Sequence, residues 1–125
     1  MKELIVAMSA FGVLFLFMHE LDACYKGEWR MFAFLRRFKE ETQYLIFLYA
    51  HIPLTLFLFY YLWTVVSFSN IILWVLVNIF CVLHFALHII ARTWKSNVFQ
   101  SIHSFIFIGG AALTGLVNLL LVTWY

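Results

Sequence analysis

The sequence predicts an all-α integral membrane four-helix bundle with up-down-up-down topology. Of its 125 residues, 66% are hydrophobic and 11% are charged, against roughly 25% charged residues in an ordinary soluble domain. The charged side chains fall in three short stretches, at residues 2–3, 20–41 and 92–95. A soluble fold has to cover its surface with polar groups. The composition therefore excludes a soluble enzyme, a disordered protein and a nucleic-acid-binding protein with a basic surface.

Four continuous apolar segments are each long enough to cross a bilayer as a helix, which takes about 20 residues. They belong to a single transmembrane domain, residues 1–125, and their expected bounds are about 4–25, 44–66, 71–91 and 98–124. The link between the second and third spans is so short that the two form an antiparallel hairpin. Either Ser69 or Asn70 can cap the third helix.

The connection between the first and second spans is longer than the others and contains most of the charge. A helix over residues 28–41 would place its apolar side chains on one face, namely Met31, Phe34, Leu35 and Phe38. We therefore expect a short interfacial helix that lies in the headgroup layer of the membrane. A solvated charged loop is the alternative.

Positive charges indicate the orientation of the chain. Seven of the eight Lys and Arg residues lie in the connections at 26–43 and 92–97. The positive-inside rule makes that side cytoplasmic and places both termini outside, and the expected location is a bacterial inner membrane. A lipoprotein signal at the N-terminus is a competing interpretation. His19, Glu20 and Asp22 oppose it, because such a signal ends in small, neutral residues.

The five histidines are predicted to lie at one depth, roughly 5–12 Å inside the cytoplasmic boundary at a helical rise of 1.5 Å per residue. Each belongs to the polar stripe of its span, and polar stripes in lipid face the interior of the bundle. His84 and His88 share one helical face at a spacing that often chelates metals, and His19 with Asp22 can offer a nitrogen and an oxygen. The candidate metal ligands are His19, Asp22, His51, His84, His88 and His103, with Glu20 and Glu28 as weaker candidates.

Imidazole and carboxylate groups together suit zinc or iron. Ligands on facing helices are also how metal sites in the cores of helix bundles are built. Six ligands could hold one ion with an open coordination position, or two ions.

Small residues make one side of the fourth span thin, namely Gly109, Gly110, Ala111, Ala112 and Gly115. Such a face favours close helix packing, either within the bundle or between the protomers of a homo-oligomer. Space for a flat cofactor or a lipid chain is the alternative.

The stretch His19-Glu20-Leu21-Asp22-Ala23, followed by Glu28-Trp29 and then Phe32, resembles an uncharacterised family of small bacterial four-span membrane proteins with an H-E-[LI]-D-A…E-W motif. A looser likeness is to membrane proteins named for an H-x-x-E-E motif, from which the residues after His19 depart. The resemblance implies the four-span layout and draws attention to His19, Glu20, Asp22 and Glu28. It implies no activity, so whether the protein is an enzyme stays open.

Four functions fit these patterns. The first is a histidine and carboxylate metal site near the cytoplasmic face of an enzyme that acts on a lipid-like substrate. Zinc would support hydrolysis of an ester or amide, and a di-iron pair would support oxidation of an acyl chain. The second is a b-type haem electron-transfer protein with two axial histidines. The others are proton or ion transport by a channel-like oligomer and a structural or partner-binding role. The expected partner is the lipid bilayer, and no nucleic acid is expected.

Overall fold

A computed structural model of the chain describes residues 1–94 and 101–124. The described residues contain four long helices: α1 (Lys2–Lys26), α2 (Glu40–Ser67), α3 (Ile71–Ala91) and α4 (Ile102–Val122). Each helix is long and apolar enough to cross a membrane. The predicted all-α, four-helix membrane bundle is therefore confirmed. Residues 98–100, where the fourth span was expected to begin, lie outside the described part of the chain.

Local sequence explains where these helices begin and end. α1 ends at Gly27, whose φ of 71° lies in the left-handed region that glycine adopts without a steric penalty. α3 begins after Asn70, whose side-chain oxygen accepts a hydrogen bond from the Leu73 N–H at 2.9 Å. Of the two residues predicted as possible caps, Asn70 is therefore the cap.

The predicted interfacial helix between α1 and α2 takes the form of two short 3₁₀ turns, Glu28–Met31 and Ala33–Leu35. Since a 3₁₀ turn has about 3.0 residues per turn instead of 3.6, the expected apolar face is not kept. Leu35 is buried, whereas Phe34 is 64% exposed. The ring of Trp29 lies 5.1 Å from that of Tyr44 and joins this segment to the first turns of α2.

The four helices do not pack equally closely. α4 contacts both α1 and α3 extensively, whereas α2 touches its neighbours at fewer points. The buried residues of α2 all lie in its last third: Leu58, Tyr61, Thr64 and Val65. The first half of α2 therefore packs loosely against α1 and α3, although His51 reaches Glu20 of α1 by a hydrogen bond.

The small residues of α4 face the inside of the bundle. Ala111 and Ala112 are buried, and so is Gly115. A Cβ atom on Gly115 would lie 3.0 Å from the backbone oxygen of Asn78 on α3. Of the alternatives for this face, close packing within the bundle is the one observed. Association of two copies through the same face stays a prediction.

A buried hydrogen-bond network joins all four helices in the half of the bundle that carries the chain termini. The Tyr61 hydroxyl donates to the Ser9 hydroxyl at 3.2 Å and accepts from the Asn78 side chain at 3.3 Å. The Asn118 amide donates to Ser9 at 3.0 Å and to the Asn78 side-chain oxygen at 3.2 Å. These contacts satisfy polar groups that would otherwise face apolar surroundings, and they hold one end of the bundle together.

Substitution of Gly115 by alanine tests the close contact of α3 with α4. We expect a loss of about 1–3 kcal/mol of stability, because the added methyl group meets helix backbone, which cannot rotate away. The matched control is Gly109→Ala, whose Cβ would meet the Phe85 ring at an ordinary 3.7 Å. Denaturant titration in micelles measures both variants. Equal stability of the two would contradict the packing described here.

Candidate metal centre

Three histidines converge at the end of the bundle nearest the charged connections. His19 is on α1, and His84 and His88 are on α3. Each offers a ligand atom, and the three atoms lie within 4.8 Å of one another. The ring centroids are 5.5 Å apart for His19 and His84, 5.1 Å for His19 and His88, and 4.5 Å for His84 and His88.

The positions of these side chains follow from helical geometry. His84 and His88 are separated by one turn, so both rings leave α3 on the same face. His19 extends the buried face of α1 and is only 2% exposed. The Nε2 atom of His84 is buried and has no hydrogen-bond partner among the described residues. Such an atom costs about 1–3 kcal/mol, which a bound ion would offset.

The orientation of His19 is set by two polar residues outside the cluster. The Ser104 hydroxyl donates to the Asp22 carboxylate at 2.6 Å. Because that hydroxyl has a single hydrogen, it can only accept from the Nδ1–H of His19, 3.3 Å away. The remaining nitrogen, Nε2, is therefore the one that can bind a metal. Asp22 acts on this centre through Ser104, an arrangement that is common behind metal-binding histidines.

A cavity of about 310 Å³ adjoins the three histidines. The residues that line it include the three histidines together with Glu20 and Glu28. Glu28 is buried, and its Oε1 atom has no hydrogen-bond partner among residues 1–94 and 101–124. Burial, followed by the negative charges of Glu20 and Asp22, raises the pKa of the Glu28 carboxyl to about 8. The cavity therefore contains a proton-accepting group that titrates near neutral pH.

His51 pairs with Glu20 instead of joining the cluster. Its Nδ1 atom donates to the backbone oxygen of Phe47 at 2.6 Å, and its Nε2 atom lies 2.7 Å from Glu20 Oε2. Since a backbone carbonyl can only accept a hydrogen bond, Nδ1 carries a hydrogen. The short contact between Nε2 and the Glu20 carboxylate also needs a hydrogen, so one further proton lies between these two groups. Both nitrogens of His51 are engaged, and the pair ties α1 to α2.

The structure thus places the predicted site residues in different roles. His19, His84 and His88 come together, and Glu20 and Glu28 line the cavity beside them. Asp22 contacts Ser104, and His51 contacts Glu20. His103, the second residue of α4, is exposed.

Ser104 is the residue of this centre that the sequence reasoning did not find. The signal lay in the buried face of α4, which runs through Ser104, Ile108, Ala111 and Gly115. These residues recur at helical spacing and are mostly small. They place Ser104 on the inside of the bundle and leave its neighbour His103 outside that face.

Substitution of Ser104 by alanine tests the support given to His19. We expect a 10- to 100-fold loss of zinc affinity, on the order found when the group behind a metal ligand is removed. Competition titration with a chelator measures the affinity. The control is Ser69→Ala at the opposite end of the bundle, where Ser69 is exposed and bonds only Ser67 among the described side chains. An affinity unchanged in Ser104→Ala would contradict the assigned role.

The model of a family of unknown function, DUF6713, matches residues 5–125. No curated protein and no solved structure matches the chain.

Proposed function

We propose that this chain, which belongs to the family of unknown function DUF6713, binds one metal ion through His19, His84 and His88 and uses it in a hydrolytic reaction. The metal is zinc or iron, and the substrate is an ester or amide of a lipid-like molecule. The observation that carries the proposal is the convergence of three imidazoles within 4.8 Å, on the wall of a cavity that also contains a buried carboxyl group.

The number and type of ligands support a catalytic ion. Zinc in catalytic sites usually has three protein ligands and one open position, with zinc–nitrogen distances of about 2.0–2.1 Å. Because the three ligand atoms lie within 4.8 Å of one another, the imidazoles would need to close by no more than about 1.5 Å to bind one ion. A further ligand from Glu28 would give a set of nitrogen and oxygen donors that also suits ferrous iron.

The close approach of the three rings also favours an ion over a b-type haem. A haem needs room for its macrocycle between two axial histidines on facing helices, and the ring centroid of His19 on α1 lies only 5.5 Å from that of His84 and 5.1 Å from that of His88 on α3. Haem binding, a second ion, proton or ion transport, and a purely structural or partner-binding role stay predictions.

The chemistry follows from the groups around the cavity. A bound ion would act as a Lewis acid and would lower the pKa of a nearby water molecule towards neutral pH. The deprotonated Glu28 carboxyl group would accept a proton from a water molecule as the water oxygen attacks the carbonyl carbon of the substrate. The C–O or C–N bond then breaks, and Glu28 returns the proton to the leaving group. A pKa tuned towards neutral pH suits both transfers.

The position of the centre supports a substrate drawn from the membrane surface. The histidines lie at the end of the bundle that carries the basic side chains, which include Arg30, Arg36, Arg37 and Arg92. We place this end at the cytoplasmic face of a bacterial inner membrane, with both termini outside. A substrate could then keep its polar head at the interface while its bond to be cleaved lies beside the histidines.

A direct test uses the protein in lipid nanodiscs, stripped by a chelator and then loaded with zinc or ferrous iron. We expect hydrolysis of fluorogenic acyl esters or acyl amides only by the loaded protein, and loss of that activity in His88→Ala. His103→Ala is the matched control, since it removes an exposed histidine from the same end of the bundle and should keep the activity. Hydrolysis that does not depend on metal, or none by the loaded protein, would contradict the proposal. A Soret band in the purified protein would support the haem alternative instead.

A further inference from the structure

A second cavity, of about 370 Å³, lies between α1, α2 and α3. Among the described residues, every side chain that lines it is apolar except that of Glu20. Leu16 contributes from α1, Leu54 and Phe57 from α2, and Leu76 and Phe80 from α3. The cavity exists because Leu54 and Phe57, which line it from α2, stay partly exposed instead of packing closely against α1 and α3. At this depth in the bundle the surrounding medium is the hydrocarbon of the bilayer.

The apolar cavity continues the cavity of the metal centre. Glu20 lines both of them. On α3, Phe80 stands one turn before His84, with the two rings stacked at 5.2 Å. On α1, Leu16 stands about one turn before His19. The two spaces therefore follow one another along the same helices, the polar one nearer the charged connections and the apolar one nearer the middle of the membrane.

The dimensions of the apolar cavity restrict what can fill it. On α3 its lining runs from Leu73 to Phe80, a rise of about 10.5 Å. A volume of 370 Å³ over that length corresponds to a width of about 7 Å, against 10–12 Å for a helix with its side chains. A transmembrane helix of a partner is too wide for this space. A single flexible hydrocarbon chain has the required width and the required apolar character.

We infer that the substrate of the metal centre is a fatty-acyl ester or amide whose acyl chain lies in this apolar cavity. This inference rests on the proposed function and names its substrate class. The acyl chain enters sideways from the bilayer, past the partly exposed Leu54 and Phe57 of α2, without crossing water. Its carbonyl group then lies beside His19, His84 and His88, and the leaving group faces the interfacial connection. The bilayer already offers apolar surroundings to the acyl chain. The contribution of the cavity is therefore to hold the bond to be cleaved in position beside the histidines.

Two inhibitors that differ only in their tails test the inference. Acetohydroxamic acid and lauroyl hydroxamic acid both bind a metal through the hydroxamate group, and only the second has a long chain. Cobalt-loaded protein in nanodiscs reports binding by its visible absorption. We expect Leu76→Trp and Leu54→Trp, which fill the apolar cavity, to weaken lauroyl hydroxamate binding by about tenfold or more. Both variants should leave acetohydroxamate binding unchanged.

Leu83→Trp is the matched control. Leu83 lies on the same helix as Leu76 and is equally exposed, at 57%, but it does not line the apolar cavity. Unchanged binding of lauroyl hydroxamate in both cavity variants, or an equal loss in Leu83→Trp, would overturn the inference. Failure of the wild-type protein to bind cobalt would overturn the proposed function itself, so the two failures are distinguishable.

Discussion

Replacement of His84 by alanine is expected to lower the affinity of the chain for zinc by about 100- to 1000-fold. Zinc binding at a site of this kind has a free energy of roughly 10 kcal/mol or more, to which three or four ligands contribute. Removal of one ligand therefore loses a large fraction of the binding free energy. His84 faces the cluster with a buried Nε2 atom that has no hydrogen-bond partner in the described residues. Its loss removes a ligand and, within residues 1–94 and 101–124, breaks no interhelical hydrogen bond.

Elemental analysis after dialysis against micromolar zinc measures this effect. The wild-type chain should retain about one equivalent of zinc, as three histidines around a single ion require, and His84→Ala should retain little. His103→Ala removes an exposed histidine from the same end of the bundle and should retain zinc like the wild type. Equal retention by His84→Ala and His103→Ala would show that the zinc is bound elsewhere.

Substitution of Glu28 by glutamine is expected to lower the rate of hydrolysis by about 10²- to 10⁴-fold, which is the usual contribution of a general base. Glutamine keeps the size of the side chain but cannot accept a proton at neutral pH. Zinc affinity should change little, because the three imidazoles hold the ion. A fall in zinc content that matches the fall in rate would contradict the role of Glu28 as a base and make it a ligand.

The pH dependence of the stability of the folded chain provides a second test of Glu28, and this test needs no metal. Its pKa is raised from 4.5 to about 8 in the folded chain, first by burial. A carboxyl group with a raised pKa binds its proton more tightly in the folded state than in the unfolded one. The stability that it contributes is therefore complete below about pH 4.5 and is lost as the pH rises towards 8. Denaturant titrations of the metal-free protein should show this slope in the wild type and lose it in Glu28→Gln.

The spans could be predicted from the sequence because each is a continuous apolar run bounded by charge or by a short turn. The same pattern does not determine the form of the charged connection. There, Gly27 ends α1 in a left-handed conformation, and the chain follows two 3₁₀ turns that change which side chains share a face. Helical periodicity alone cannot reveal such a change of pitch.

The pair His84 and His88 could be predicted because one turn of helix fixes their relative positions whatever packs against them. His19 could also be predicted as a member of the cluster, because it lies at the same depth as the pair and on the buried face of α1. His103 did not, because close contact of small residues decides which face of α4 is buried, and the histidine lies beside that face. The Glu20 and His51 pair also depends on the tilt of α2, which the sequence of α2 does not specify.

The most direct test of the central claim is X-ray absorption spectroscopy of the zinc-loaded wild-type protein at the zinc edge. The site described here predicts three imidazole nitrogens at about 2.0–2.1 Å and one oxygen ligand from water or a carboxylate. A shell of sulfur at about 2.3 Å would place the ion at cysteine instead. That result, or a shell of oxygen atoms alone, would contradict a metal centre built from His19, His84 and His88.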